Sequence, residues 1–489
     1  MNKKQIIKGF LLTGFAILTT FTSCKKDFLE EVNVNPNAPT DVSVTELLPS
    51  AELAIAHAVG NHFQIYAGLY AQFWTQSPSS SQYKTFENYS PSSDDFDRPW
   101  SIMYADGLKD LKTIIEKGSS LGLPNYVAIG KILQAYSFQV LTDDFGDIPY
   151  SEALREEEGI LSPRYDSQHE IYHGIIALAK EGIASIDETA DAITPGDDDL
   201  LLHGDMHLWT KFGNTLLLKM YLRLAYVDPT EAADGIADLE ADAAEFLSFG
   251  EEVRIDYFTT GGNTNPLYAS IVDLGFVQNI VASATAINYM LTNNDPRIDA
   301  FYIPSSTGNH VGIAQGNYTV AAGTPVSLPS PATGADGTDD ESQTAPVKLM
   351  TGYESMFLQA EAVARGWMSG NDQMLYEDAI TESFESYGLD ASDAQTYYTQ
   401  AAIDYTLATD KIEAIITQKW IAMDGNQNNE AWIEWRRTGF PTFFTVSANS
   451  IIGPGRFPQR FFYPSVEVTR NANFPGQRLI DTKVWWDVN

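Results

Sequence analysis

The stretch that decides the fold is QKWIAMDGNQNNEAWIEWRRTGFP, residues 418–441. It lies within a predicted helical region, 411–437, that has Arg436 and Arg437 at its C-terminal end. Positive side chains are favoured there because the carbonyl end of a helix carries partial negative charge. Guanidinium groups also bind carboxylates through two parallel hydrogen bonds. We therefore expect both arginines to pair with buried acids such as Glu361.

Helical patterns recur along the rest of the chain. A capping-box pattern at 43–46 precedes a long apolar-periodic run. Further helices are predicted at 102–118, 125–141, 168–187, 207–227, 352–368 and 374–388. Short turns rich in Gly, Pro and Asp join many of these stretches, which predicts TPR-like helical hairpins although no strict repeat of about 34 residues is present. Strand-like alternation is local, as in 252–258, so the predicted fold class is mainly α with little strand.

Three stretches interrupt the helical pattern. Residues 74–99 are polar with scattered aromatic residues and are predicted to form a loop. Residues 303–346 are rich in Gly, Thr, Ser, Pro and Ala, and a loop of that length in a compact protein is usually functional or mobile. The last stretch, 440–489, is irregular and ends in Trp485 and Trp486. We expect it to be a tail that docks on the core.

The net charge limits the possible partners. The 489 residues carry a formal charge of −35, with 65 acidic and 30 basic side chains. Such a field repels phosphate backbones and anionic bilayers, which argues against nucleic-acid binding. The simplest role of the acidity is solubility. A neutral ligand suits this surface better than an anionic one.

The only cysteine, Cys24, follows a pattern typical of export signals. Lysines at positions 3, 4 and 8 precede the apolar stretch 9–22, which is shorter than the roughly twenty residues that a membrane-spanning helix needs. Small residues, Thr22 and Ser23, come directly before the cysteine. This arrangement resembles the lipobox of bacterial lipoproteins, although Phe21 stands where that pattern usually has an aliphatic residue. The prediction is a signal peptide over 1–23 and a lipidated Cys24; the alternative is a free thiol in an ordinary signal peptide.

One motif suggests catalysis. Residues 169–173 read HEIYH, which matches the H-E-x-x-H pattern of zinc proteases, with His169 and His173 as ligands and Glu170 as base. On a helical wheel, however, both histidines lie away from the apolar stripe of this helix. No third ligand is evident. We therefore interpret the motif as a chance match on a solvent-facing helix.

No other catalytic template is present in the sequence. G-x-S-x-G, the P-loop pattern and a dinucleotide-binding glycine motif are all missing, and paired carboxylates are uninformative among so many acids. The prediction is a protein that is not an enzyme, with no cofactor and no metal.

A series of short segments, in order along the chain, resembles the SusD/RagB family of nutrient-binding lipoproteins. The most specific is the opening stretch, 418–441. The others are CKKDFL (24–29), NVNPN (33–37), LLPSA (47–51), QAY (134–136), FGDIPY (145–150), WTKFGNTL (209–216), RLA (223–225), NDPR (294–297), 354–366, RFFYP (460–464) and the terminal tryptophans. The resemblance covers nearly the whole chain after residue 23.

This resemblance implies a SusD-like fold and a function. Residues 24–42 would be a tether from the lipidated cysteine, and 43–489 a single helical domain with a long loop at about 303–346. Relatives of this type bind an oligosaccharide and cap a SusC-like TonB-dependent transporter for import. The charged run 25–31 also resembles the signal that sends Bacteroidetes lipoproteins to the cell exterior. The expected location is therefore the outer face of the outer membrane.

A cap of this kind needs flat aromatic rings that stack on sugars and polar side chains that bind hydroxyl groups. The best candidates lie in the two loop-like stretches, next to Phe73. They are Trp74, Gln76, Tyr83, Phe86, Tyr89, Trp100, Tyr302 and Tyr318. Trp100 and Tyr104, four residues apart, could equally pack at the start of a helix.

Several alternatives stay open at this point. The same architecture could bind a peptide or another small nutrient in place of an oligosaccharide. More remote alternatives are a glycoside hydrolase, a zinc hydrolase, or an adhesive surface lipoprotein without a small ligand. Reducing-end release, or co-purification of a β-barrel, would separate these possibilities.

Overall fold

A computed structural model describes residues 42–189, 191–260, 262–275 and 278–489. The predicted signal peptide, the lipidation of Cys24 and the tether up to residue 41 lie outside the described residues. Of the described residues, 52% are helical and 6% form strands, which confirms the mainly α fold class. None of the described helices combines the length and apolar character that a membrane crossing needs.

The α-helices are numbered in chain order. They are α1 (Val44–His57), α2 (Gln64–Tyr70), α3 (Lys84–Glu87), α4 (Asp97–Ser101), α5 (Lys109–Leu121), α6 (Pro124–Phe145), α7 (Gln168–Ala184), α8 (Met206–Arg223), α9 (Pro229–Ala241), α10 (Pro266–Asp273), α11 (Ala284–Thr292), α12 (Ile298–Phe301), α13 (Gly352–Ala364), α14 (Asp372–Glu385), α15 (Ala391–Tyr398), α16 (Lys411–Ala422), α17 (Asn428–Thr438) and α18 (Ser465–Arg470). Two π-helical turns, Ala58–Phe63 and Ile102–Leu108, continue α1 into α2 and α4 into α5.

The strands are short and pair in twos, all antiparallel. They are β1 (Trp74–Gln76) with β5 (Ile280–Ala282), β2 (Ile148–Pro149) with β3 (Tyr165–Asp166), β4 (Glu252–Ile255) with β8 (Val347–Thr351), and β6 (Tyr302–Ile303) with β7 (Leu328–Pro329). The β6–β7 pair closes the long predicted loop at its base. Residues 304–327 form an irregular loop closed by this pair, and the rest of the predicted stretch, up to 346, contains two short 3-10 turns, Pro331–Thr333 and Asp340–Thr344.

Successive helices pack against each other in two series. In the first, α5, α6, α7, α8 and α9 each contact the next helix; in the second, α13, α14 and α15 do so, and α16 packs on α13 and α17. The series meet where α8 lies against α13. These are the helical hairpins that the sequence predicts. Residues Val44–Asn489 form one compact unit.

Buried ion pairs join the two series. Nη2 of Arg437 lies 2.6 Å from Glu361 and 2.7 Å from Glu434, and Nη2 of Arg223 lies 2.7 Å from Glu430. Burial alone would raise the pKa of Glu361, but Arg437 and Arg365 hold it below its usual value. Buried charges are costly unless they are paired and hydrogen-bonded. Removal of one partner from any of these pairs would therefore leave the other charge unpaired in the interior. The predicted pairing of Arg437 with Glu361 is confirmed.

The predicted helix over 411–437 is wrong in one respect: it is two helices, α16 and α17, separated by residues 423–427. Gly425 adopts a φ of +76°, and a Cβ there would lie 2.3 Å from a methyl carbon of Thr333. Its N–H donates to Oδ1 of Asn428 over 2.9 Å, which satisfies one backbone group where the helix breaks. The glycine lets the chain turn close against a neighbouring segment, and the apolar periodicity on both sides conceals the turn.

The C-terminal tail docks on this core, as predicted. The ring of Trp486 is completely buried, and its Nε1 donates to Asp143 of α6 over 2.7 Å. Phe461 lies in the same interior, stacked against Trp432 of α17 with ring centres 4.9 Å apart. The irregular C-terminal stretch therefore completes the core.

Candidate functional site

Seven of the eight predicted ligand contacts lie in the interior, with at most 9% of each residue exposed. They are Trp74, Gln76, Tyr83, Phe86, Tyr89, Trp100 and Tyr302. Phe86 stacks on Tyr66 at 4.1 Å between ring centres, and Trp100 meets Phe145 edge-on at 5.1 Å. Other side chains of the protein therefore cover the ring faces that were predicted to stack on a sugar. Their contact with a ligand stays a prediction, and it would require this core to open.

The polar groups of this set have structural partners. Oε1 of Gln76 accepts the backbone N–H of Tyr83 over 2.5 Å, and its amide nitrogen donates to Ser80 over 2.7 Å. The hydroxyl of Tyr302 donates to Asp424 over 2.7 Å. These bonds hold the loop turns together, because a buried polar group without a partner is costly.

Trp100 lies beside a cavity that opens to solvent. Together with Tyr104, whose ring centre is 4.7 Å away, it lines a cavity of about 450 Å³. The hydroxyl of Tyr104 donates to the carbonyl of Pro149 over 2.7 Å, so this pair mainly packs the start of a helix against β2. That is the second of the two interpretations that the sequence leaves open.

Tyr318 alone of the predicted rings is half-buried at the surface. Its hydroxyl forms a 2.5 Å hydrogen bond with the side chain of Asn88, and Nζ of Lys84 lies 5.3 Å from its ring centre. Ile451, which is 69% exposed, donates its N–H to the carbonyl of Asn88 over 3.1 Å. We call these residues, together with Asn449, the Tyr318 surface. It places one ring, one ammonium group and two amides at the surface, and both amides also bond to protein.

Buried polar contacts hold the long loop beneath Tyr318. The amide nitrogen of Gln315 donates to the carbonyl of Leu69 over 2.8 Å and to the carboxylate of Glu87 over 3.0 Å. Burial raises the pKa of Glu87 to about 7, although hydrogen bonds from Thr75, Gln76, Gln315 and Gly316 act to lower it. The loop from 304 to 327 is therefore fixed to the body two or three residues before Tyr318.

A second irregular segment, residues 442–451, runs over the surface beside this loop, and we call it the Phe443 segment. Gln72 holds it from below, since its amide nitrogen donates to the carbonyl of Thr445 over 2.7 Å and its oxygen accepts the N–H of Thr445 over 3.2 Å. Further along, Ser447 donates its N–H to the hydroxyl of Tyr89 over 3.0 Å, and Asn449 donates to Gly316 over 2.6 Å. The segment therefore connects the Tyr318 surface to a region near α16.

At the other end of this segment, Phe443 forms an exposed aromatic platform. Its ring stacks on Tyr289 at 5.3 Å and meets Trp420 edge-on at 5.4 Å, yet the residue is 40% exposed. The sequence prediction missed it, because 440–489 was interpreted as a docked tail. The available signal was the run FPTFF (440–444), three phenylalanines in a short irregular stretch after a helix.

The structure places the HEIYH motif on the outside of α7. His169 and His173 are exposed, whereas Ile171 and Tyr172 face the core. The carboxylate of Glu170 accepts hydrogen bonds from the N–H and the hydroxyl of Ser167, which forms a capping box at the start of the helix. Glu170 therefore helps to cap the start of α7. No group of three or more His, Cys, Asp or Glu residues suited to a metal occurs among the described residues.

Comparisons with known proteins agree on the fold. The model of a SusD-like family, described as "Starch-binding associating with outer membrane", matches residues 36–464. A structure titled "chitin-binding protein" is 24% identical, with a TM-score of 0.77 over 91% of this chain and 100% of that one. A SusD homolog from Bacteroides fragilis is 24% identical, with a TM-score of 0.74 over 91% of this chain and 99% of that one.

A chitin-binding SusD homolog from Flavobacterium johnsoniae is 22% identical, with a TM-score of 0.74 over 90% of this chain and 99% of that one. No curated protein sequence matches this chain significantly. At these identities the structures show a shared fold, which is the helical, TPR-containing fold that the sequence predicts.

Proposed function

This chain belongs to the SusD-like family of starch-binding proteins that associate with the outer membrane, and from that premise we propose that it captures an oligosaccharide at the cell surface. The captured chain would pass into a SusC-like TonB-dependent transporter, which this protein would cap. The observation that carries the proposal is the family match, which spans residues 36–464. Because two similar structures are of chitin-binding proteins, chitin and starch oligosaccharides are the first ligands to test.

The proposed anchor is a diacylglycerol on Cys24, with 24–42 as a tether to the helical body. More than one acyl chain is needed for stable anchoring, since each buried methylene contributes about 0.8 kcal/mol. Cys24→Ser should therefore move the protein from the outer-membrane fraction into the soluble fraction and abolish labelling with a radioactive fatty acid. Equal membrane recovery and labelling of the variant would overturn the anchor.

We propose that binding, not catalysis, is the role of this protein. A TonB-dependent transporter supplies the energy of import, so the cap needs only to hold a ligand and release it. The Tyr318 surface suits this task, because an aromatic face stacks on a sugar ring while amides bind its hydroxyl groups. Tyr318 is therefore the predicted residue that we carry forward as a ligand contact.

The test is a binding titration of the detergent-solubilised full-length protein with malto- and chito-oligosaccharides. Tyr318→Ala should weaken binding about tenfold, which corresponds to roughly 1.4 kcal/mol, the size of one aromatic stacking contact. Tyr398→Ala is the matched control, since this tyrosine is also half-buried but lies outside the Tyr318 surface. A wild-type protein that binds neither glycan, or that binds peptides alone, would overturn the oligosaccharide proposal.

Co-purification from native membranes tests the partner. The wild-type protein, extracted in mild detergent, should bring down a β-barrel transporter of the TonB-dependent class. The same extraction from cells that lack that transporter gene provides the control. Recovery of the protein with no barrel partner, under conditions that preserve other outer-membrane complexes, would contradict the capping role.

A further inference from the structure

A cavity of about 340 Å³ opens beside the aromatic platform, and no sequence prediction assigned a role to it. Phe443 and Tyr289 line one side of it, and residues 401–417 line much of the rest. Its volume falls near the lower end of the range for small-molecule sites, roughly 300–1,000 Å³. We call it the Phe443 cavity.

The platform is fixed in place before any ligand arrives. The hydroxyl of Tyr289 accepts a hydrogen bond from the amide nitrogen of Gln418 over 2.7 Å, and Gln418 is itself 2% exposed. Thr442 donates to Glu413 over 3.2 Å, and Gln72 holds both backbone groups of Thr445. Bonds therefore hold the chain on both sides of Phe443, so a ligand that stacks on its ring loses little binding energy in ordering it.

Hydrogen-bond acceptors line the wall of the cavity formed by 401–417. Oδ1 of Asp404 accepts the N–H of Thr406 over 2.9 Å, and Oδ1 of Asp410 accepts the N–H of Ile412 over 2.8 Å. Each carboxylate is oriented through one oxygen, and its second oxygen has no hydrogen-bond partner among the described residues. Hydroxyl groups are the natural donors to such oxygens.

The composition of the lining also excludes one class of ligand. None of the residues that line the cavity is Lys or Arg. An anionic group would therefore approach the carboxylates of Asp404, Asp410 and Glu413 without a lysine or arginine in the lining to offset them. An aromatic ring and oriented acceptors that line the same cavity, without a basic residue among them, suit a neutral ring that carries several hydroxyl groups.

We propose that the Phe443 cavity is a second sugar subsite, which binds one end of the same neutral oligosaccharide that contacts the Tyr318 surface. This inference rests on the proposed function. Phe443 and Ile451 lie in one continuous segment, and the eight steps between them span at most about 29 Å when fully extended. A sufficiently long oligosaccharide reaches both subsites. Its second contact is then intramolecular, so the two contacts together bind more tightly than either one alone.

The experiment is a length series of neutral malto- and chito-oligosaccharides, from two to eight units, titrated against the full-length protein. Wild-type affinity should rise with length and then level off once both subsites are filled. Phe443→Leu, which keeps an apolar side chain but removes the ring, should flatten this rise and weaken binding of the longest chain about tenfold. Phe443→Trp should restore it, because a ring face is present again.

Phe258→Ala is the matched control, since Phe258 is 62% exposed and lies outside both subsites. If wild type binds and Phe443→Leu matches it at every length, the second subsite is wrong and the proposed function stands. If the wild-type protein binds no oligosaccharide, both the second subsite and the proposed function are overturned. If Phe443→Leu weakens binding of short and long oligosaccharides equally while Tyr318→Ala leaves their binding unchanged, the Phe443 cavity is the only site. The two-subsite inference is then overturned.

Discussion

Two stretches rich in aromatic residues, 73–104 with only short helices and strands and the irregular 440–457, have opposite exposures. In the first, Phe96 is completely buried, stacked on Phe461 at 5.0 Å and edge-on to Tyr66 at 5.7 Å. In the second, Phe443 has protein on one side of its ring and is 40% exposed. Aromatic content in an irregular chain therefore does not indicate exposure. What decides it is whether a distant segment, here the C-terminal tail, covers the second face.

The largest expected effect is on stability in the first stretch. Phe96→Ala should lower the free energy of unfolding by about 3–5 kcal/mol, the usual cost of removing a fully buried Phe. Phe443→Ala should lower it by less than about 1 kcal/mol, since the ring is already partly in water. Urea unfolding, followed by circular dichroism, measures both. Equal losses would mean that the exposed ring contributes to the core, and the contrast between the two stretches would fail.

The contrast also shows what the sequence could predict. Helix periodicity located α6 as 125–141 against the observed Pro124–Phe145, and α7 as 168–187 against Gln168–Ala184. Arg437 at the end of α17 pairs with the buried acid that the sequence suggested, Glu361. These features depend on spacing within one helix, or on charges that cannot be buried alone. Helix spacing and unpaired buried charge can each be recognised from residues close together in the sequence.

Burial of the loop aromatics leaves no such signal. Phe96 is buried by Phe461, which is distant in sequence, and nothing around Phe96 indicates that the tail will cover it. For the same reason the sequence did not indicate that Phe443 is exposed, because tail residues that dock and tail residues that stay exposed have similar neighbours in the sequence. Tyr318 is the one predicted ligand contact that is half-buried at the surface, and its role as a ligand contact stays a prediction. Sequence reasoning therefore found the architecture more fully than the site.

A smaller effect is expected from Glu87 in the first stretch. Its carboxylate accepts a hydrogen bond from Gln315, whose carbonyl accepts the N–H of Ala448 in the second stretch over 2.9 Å. The pKa of Glu87 is about 7 in the fold, mainly because of burial, against an ordinary value of 4.5. A carboxyl whose pKa is raised by folding stabilises the protein fully below the unfolded value. That contribution is lost as the pH rises through the folded value. From this shift we expect a loss of about 3 kcal/mol between about pH 4.5 and about pH 7.

Glu87→Gln isolates this contribution, because its amide oxygen can still accept the bonds that Gln76 and Gln315 donate to Oε1 of Glu87, and the amide does not titrate. Urea unfolding of wild type and variant at about pH 5 and about pH 8 should show the variant gaining relative stability at the higher pH. The control is Glu157→Gln, which removes an exposed carboxylate and should leave the pH profile unchanged. Parallel profiles for Glu87→Gln and wild type would mean that Glu87 is ionised in the fold.

The smallest expected effect concerns the contact between the loop and the Phe443 segment. Gly316 has a φ of +71°, and a Cβ there would lie 1.8 Å from Oγ of Ser447. Gly308, in the same loop, has a φ of +81° and nothing within 4 Å of a Cβ. Both substitutions to Ala carry the cost of a left-handed residue, about 1–2 kcal/mol. Only Gly316→Ala also pushes the segment outward, which should add roughly 1 kcal/mol and weaken binding of long oligosaccharides.

Comparing Gly308→Ala with Gly316→Ala separates the cost of a left-handed residue in the loop from the cost of contact between the loop and the Phe443 segment. If the segment is held firmly, Gly316→Ala costs more than Gly308→Ala, and Ser447→Gly in the same chain recovers the difference because it removes the clashing hydroxyl. Thermal unfolding of the three variants measures this recovery. If Gly316→Ala and Gly308→Ala cost the same, the segment yields freely to an added methyl group. The Phe443 ring would then be exposed because its backbone is loose, and the two aromatic stretches would differ in mobility as well as in what covers them.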